Sequence, residues 1–184
     1  ASVPLMMAIP GLSFTDAYFE AMSGLTTTGS TVLTGLDALP PSVNLWRSAL
    51  HWFGGLGIIV LAVAVLPLLG VGGMQVYKAE SPGPVKDEKL TPRITQTAKA
   101  LWLVYTGITA AGAIALHAAG MTWLDAICHA FSAIGLGGFS THDSGIGYYN
   151  SAAVEFVLIL IMLTACMNFS RHFMGVQTLS FAPY

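Results

Sequence analysis

Charge is scarce in this chain: only 9% of its 184 residues are Asp, Glu, Lys or Arg, where a soluble domain carries about a quarter. Basic residues do not outnumber acidic ones, and a net charge of −2 leaves no cationic face for a nucleic-acid partner. The two cysteines, Cys128 and Cys166, lie far apart in sequence and form neither a disulfide framework nor a metal-ligand spacing. Residues 1–12 have no basic n-region, so they do not read as a signal peptide. No nucleophile stands beside a base, and no ligand set is clustered, which argues against an enzyme working inside a bilayer. Apolar residues are plentiful instead, at 54% of the chain with a mean hydropathy of +0.69. Lipid is the natural solvent of such a surface, and the expected class is an all-α, multi-pass integral membrane protein.

Trp52 to Met74 is a run of 23 residues without a charged or polar side chain, longer than the roughly 30 Å hydrocarbon core requires at about 1.5 Å per residue. A second apolar run covers Ala100 to about Ala119, and a third about Ala152 to Phe169. Pro67 and the glycines Gly54, Gly55 and Gly57 are tolerable in membrane helices, where small residues permit close packing. Five of the seven basic residues (Lys78, Lys86, Lys89, Arg93 and Lys99) fall between the first and second runs, against three acidic ones, Glu80, Asp87 and Glu88. The positive-inside rule puts this linker in the cytoplasm. The segments before Leu45 and between Gly120 and Ser151 then face outward; they carry Asp37 and Asp143 and no Lys or Arg, a mildly cation-attracting face. A cysteine introduced at Ser81 should therefore resist impermeant thiol reagents added outside intact cells; labelling from outside would reverse the whole topology.

The most informative pattern is an internal repeat at an offset of 109 residues. Gly11–Leu25 aligns without gaps on Gly120–Ile134, with identities at Gly11/Gly120, Asp16/Asp125, Ala17/Ala126, Ala21/Ala130 and Ser23/Ser132, and Gly29 pairs with Gly138 beyond it. Each copy opens on a hydroxyl followed three residues later by a carboxylate, Ser13-x-x-Asp16 and Thr122-x-x-Asp125. That is a capping-box type of helix start, with negative charge at the positive helix end. Each predicted helix is about 12 residues, or about 18 Å, and reaches only to mid-membrane. A small, polar, glycine-bearing stretch follows: Thr26–Thr31 in one copy, Gly135–Thr141 in the other. Non-helical backbone at that depth is tolerated only where protein buries it or a water-filled path runs beside it. Along such a path, carbonyl oxygens can replace the hydration shell of a monovalent cation.

These residues resemble the Trk/Ktr/HKT superfamily of cation transporters, and within it the bacterial Trk potassium-uptake membrane subunits. The likeness is carried by SGLTTTGST at 23–31, HWFGGLGIIVLAVAVLPLLGVGGMQ at 51–75, PGPVKDEKLTPRI at 82–94 and IGLGGFSTHDSGIGY at 134–148. The resemblance implies helix–half-helix–helix repeats, four in the family and about two here, each giving one glycine-centred filter segment. By position, Thr27, Thr28, Gly29 and Ser30 resemble one filter quadrant, and Leu136, Gly137, Gly138 and Phe139 the next. Potassium would meet the backbone carbonyls of Thr27, Thr28, Gly29, Leu136, Gly137 and Gly138, as transported ion with no cofactor. Sodium-preferring relatives carry serine at the first filter glycine, so Gly29 favours potassium. The implied setting is the bacterial inner membrane, with a homodimer and a cytosolic ring of nucleotide-binding regulatory subunits as partners; coupling by symport remains open.

The implied organisation is a first repeat at 1–73, a cytoplasmic basic linker at 74–99, a second repeat at 100–173 and a tail at 174–184. Later repeats, with two more filters, a gating loop and a pore-facing arginine, do not follow, and Ala1 has no preceding Met, so the chain is expected to be part of a longer transporter. A non-conducting assembly subunit is the alternative. Of the other polar residues, His51, His117, His129, His142 and His172 are expected at interfaces or in solvent. Arg47 is expected to snorkel or to pair with a carboxylate. Glu20 and Glu155 are costly enough near a membrane to suggest function. For Glu20, a filter-supporting or cation-attracting role stands beside a hydrogen-bonded structural one.

Overall fold

A computed structural model describes residues 1–65 and 90–167, and among them every regular element is helical. The elements are α1 (Ser2–Ala8), α2 (Phe14–Leu25), α3 (Pro41–Val65), α4 (Leu90–Ala118), α5 (Trp123–Ile134) and α6 (Ala152–Cys166), with single 3₁₀ turns at Leu36–Ala38 and Gly145–Tyr149. Most of the 74–99 linker, the end of the first apolar run, His172 and the 174–184 tail lie outside the described residues.

The two short helices form where the capping signal puts them. Ser13 Oγ accepts from the Asp16 N–H at 3.1 Å and donates to the Asp16 carboxylate at 2.7 Å. Thr122 does the same with Asp125, at 3.2 and 2.7 Å. Each satisfies an orphan donor of the first turn and sets a carboxylate at the positive helix end. Both helices are 12 residues long, and Gly11 and Gly120 turn the chain into them with φ of +81° and +113°.

Helix α3 is the common wall. One apolar cluster joins Leu5 of α1, Ala17 and Ala21 of α2, and Val43 and Leu50 of α3. A larger one joins Trp52 and Leu56 of α3 to Tyr105 and Leu116 of α4, Ala126 and Ala130 of α5, and Leu158 and Ile161 of α6. Glycines on α3 bring both short helices close: a Cβ on Gly54 would stand 2.1 Å from the Leu25 carbonyl oxygen, and one on Gly55 3.0 Å from Gly135 Cα. Small residues thus allow backbone-to-backbone approach at both C-terminal ends. Across α3 and α4, Trp52 Nε1 donates to Thr109 Oγ1 at 3.1 Å and the Tyr105 hydroxyl donates to the Trp52 carbonyl at 3.0 Å.

The outside of the bundle is as apolar as the inside. Ile58, Leu61, Leu103, Ile114, Phe156 and Leu163 are all exposed, Leu103 by 71%. An array of this size has no place in water and fits a lipid boundary. Among the described residues, Ala98–Ala118 is long and apolar enough to cross a membrane, whereas α5 and α6 are shorter apolar helices.

Candidate ion-binding site

After each short helix the chain makes the same hairpin, residue for residue. The N–H groups of Thr26, Thr27 and Thr28 donate to the carbonyls of Met22, Gly24 and Ser23, at 2.9, 3.0 and 2.9 Å. The N–H groups of Gly135, Leu136 and Gly137 donate to Phe131, Ala133 and Ser132, at 3.4, 3.1 and 2.9 Å. Every donor and acceptor pair is related by the 109-residue offset. Backbone handedness repeats as well: φ is +54° at Thr27 and +55° at Leu136, then +77° at Gly29 and +88° at Gly138. Thr27 and Leu136 hold a conformation that L side chains seldom adopt, the kind of local strain that gathers at functional sites.

The two hairpins touch. A Cβ on Gly29 would lie 1.7 Å from the Gly137 carbonyl oxygen, and the same construction at Gly138 meets nothing within 4 Å. Gly137 is glycine for a different reason. Its missing side chain would strike the His51 ring, with Nδ1 only 2.2 Å away. His51 is buried behind the second hairpin, its Nδ1 3.0 Å from Ser132 Oγ and its ring stacked on Phe139 at 4.1 Å.

Beyond each glycine the returning leg is tied to the middle of its own short helix. In the first copy the Thr31 hydroxyl lies 2.9 and 3.0 Å from the two Glu20 carboxylate oxygens, and the Val32 N–H donates to Glu20 Oε2 at 3.1 Å. In the second, at the equivalent positions, His129 Nε2 is 3.1 Å from Ser140 Oγ. A carboxylate and an imidazole perform the same tethering. The His129 Nδ1 lies 2.8 Å from the Asp125 carbonyl, which makes Nδ1 the donor there and leaves Nε2 to accept from Ser140. Glu20 is fully buried and its charge is met by Arg47, whose Nε donates to Glu20 Oε1 at 2.7 Å. The expected pairing of Arg47 with a carboxylate is present; snorkelling is not, because the guanidinium is 1% exposed.

The loops that follow the two hairpins are also joined. His142 Nδ1 pairs with Asp37, the Asp143 N–H donates to Asp37 Oδ2 at 3.2 Å, and the Leu36 N–H donates to Asp143 Oδ2 at 3.1 Å. The His142 hydrogen bond, followed by that from the Asp143 backbone, holds the Asp37 carboxyl below the usual carboxylate range. Thr141 Oγ1 donates to Asp125 Oδ1 at 2.7 Å. Asn44 Nδ2 clasps both loops, donating to the Leu36 carbonyl at 3.1 Å and the Thr141 carbonyl at 3.3 Å.

All eight residues expected in the filter, Thr27–Ser30 and Leu136–Phe139, thus lie in two adjoining hairpins. The histidine expectation is corrected in part: His51 and His129 are buried and hydrogen-bonded rather than interfacial. Burial of an imidazole behind a glycine loop leaves no local signal in a single sequence. Glu155 lies exposed in the first turn of α6.

The fold and the paired hairpins define a membrane protein built from helix–half-helix–helix repeats. A family model described as TrkH, a cation transport protein, matches residues 1–182. The Trk system potassium uptake protein TrkH of Halomonas elongata is 56% identical over 95% of this chain and 36% of its own length. Its Escherichia coli K12 namesake is 56% identical over 89% of this chain and 34% of its own. The crystal structure of the potassium transporter TrkH from Vibrio parahaemolyticus superposes with a TM-score of 0.82 at 47% identity, covering 96% of this chain and 35% of that one. The chain belongs to the TrkH family of cation transport proteins, and it spans about a third of the length of these relatives.

Proposed function

We propose that this chain supplies two adjoining quadrants of a potassium-selective filter in a transporter subunit that takes up potassium across the bacterial inner membrane. The observation that carries this reading is the residue-for-residue recurrence of a half-helix followed by a left-handed residue and a left-handed glycine, Thr27/Gly29 and Leu136/Gly138. Alternation of left- and right-handed backbone turns successive carbonyls to one side, where they can replace an ion's water. Each half-helix adds the negative end of its dipole at the same depth. The carbonyls of Thr27, Thr28, Gly29, Leu136, Gly137 and Gly138 are the proposed ligands, with Ser30 and Phe139 opening the returning legs. In keeping with the family resemblance, the complete subunit works as a homodimer on a cytosolic ring of nucleotide-binding subunits. The reading also makes the 74–99 linker cytoplasmic.

The test is tracer rubidium flux into proteoliposomes holding the complete subunit. Unlabelled potassium should compete with rubidium, and sodium should compete far less. Equal competition by both ions would overturn the potassium filter, and absence of flux would favour a non-conducting assembly role.

A further inference from the structure

Arg47 does more than neutralise Glu20. Its Nη2 donates to Thr31 Oγ1 at 3.2 Å, on the leg that follows Gly29, while Nη1 donates to the Ser140 carbonyl at 3.2 Å, on the leg that follows Gly138. Nη1 also reaches Asn44 Oδ1 at 3.2 Å, and Cζ sits 4.3 Å above the Phe139 ring. A guanidinium is a planar fork whose donors have fixed relative directions. A single rigid group therefore spans the two returning legs, each two residues past its left-handed glycine.

The repeat shows that this is not a generic way to hold a half-helix. The second copy tethers its leg with the neutral His129–Ser140 contact, and α6, the helix that follows its hairpin, carries no arginine between Ala152 and Cys166. Nor is stability a sufficient reason, because a buried ion pair usually gives no more than an apolar pair of similar volume; its best-attested use is to fix register. We infer that Arg47 is a positioning residue that sets the lateral spacing of the two hairpins and through it the discrimination between potassium and sodium. This rests on the filter reading above. A cage held at fixed spacing resists contraction around the smaller ion, and a loosened one does not.

The test uses the complete subunit in proteoliposomes, measuring how well sodium and potassium each compete with tracer rubidium. Arg47→Lys keeps a charge beside Glu20 but cannot reach both legs at once. The double variant Glu20→Gln with Arg47→Met removes both charges, so no buried charge is left unpaired. In each, sodium is expected to compete about tenfold better relative to potassium, the scale of one charge-assisted hydrogen bond, with rubidium flux retained and a monodisperse peak on size-exclusion chromatography. Wild-type discrimination in either assembled variant overturns the inference. Failure of both variants to assemble also overturns it, making the pair a folding element. A wild-type protein that fails to distinguish the two ions would refute the filter reading itself, a result separate from either of these.

Discussion

Replacing Gly29 by serine is expected to reduce discrimination of potassium over sodium by at least about tenfold, a loss of about 1.4 kcal/mol in relative binding. Two independent obstacles meet at this position. The φ of +77° costs an L side chain roughly 1–2 kcal/mol, so the backbone tends to rotate out of the left-handed region and take its carbonyl with it. The new Cβ would also stand 1.7 Å from the Gly137 oxygen and 2.9 Å from its carbon. Those are backbone atoms, which cannot swing aside as a flexible side chain would. Relief requires the two hairpins to separate, which displaces proposed ligands of both quadrants at once. Potassium and sodium competition against tracer rubidium, in the complete subunit, reads the effect. An unchanged ratio would remove Gly29 from the filter.

What could be read from the residues, and what could not, divides along sequence distance. The capping pairs Ser13/Asp16 and Thr122/Asp125 are local, so three-residue spacing was enough to locate both half-helices. The 109-residue repeat then carries each local reading to a second copy, and the structure repeats it down to the hydrogen bonds of Thr28 and Gly137. Contacts across the bundle have no such signature. Arg47 lies 93 residues from Ser140, His51 lies 81 from Ser132, and Asp37 lies 105 from His142. The sequence leaves Arg47 either to snorkel or to pair with a carboxylate, and nothing in it indicates that the guanidinium also reaches the opposite hairpin. The histidines mislead for a related reason. Composition favours them at interfaces, and only the shape of the Gly137 loop makes room for the buried His51 ring. Glu20 and His129 fall between these cases. The repeat aligns them, yet a carboxylate and an imidazole look unrelated until both are found bonded to a hydroxyl two residues beyond a glycine.

The 184-residue segment reconstituted by itself should give no potassium-selective flux, whereas the complete subunit should. The geometry of the hairpins carries this expectation. Gly29 abuts the Gly137 carbonyl, so the first quadrant has a neighbour; Gly138, its equivalent, has none within 4 Å, and Thr28, the equivalent of buried Gly137, is exposed. The repeat relation that carries the first quadrant onto the second therefore runs on into open space on one side and begins from open space on the other. Helix α2 also presents Phe14, Tyr18 and Phe19 outward, with Phe14 63% exposed, while Ile127 and Phe131 of α5 are partly covered by the larger core cluster. A dehydrated ion needs ligands on all sides, since each missing one leaves part of the desolvation cost unmet. In the proposed filter two quadrants supply about half of the cage, and backbone left uncovered is disfavoured against hydrocarbon. Relatives about three times as long have room for the remaining quadrants within one chain. Rubidium flux, together with the mass of the reconstituted particle, decides the matter. Selective flux from a particle of two copies would mean that two-fold symmetry closes the ring, and that the open faces at Thr28 and Gly138 are each other's partners.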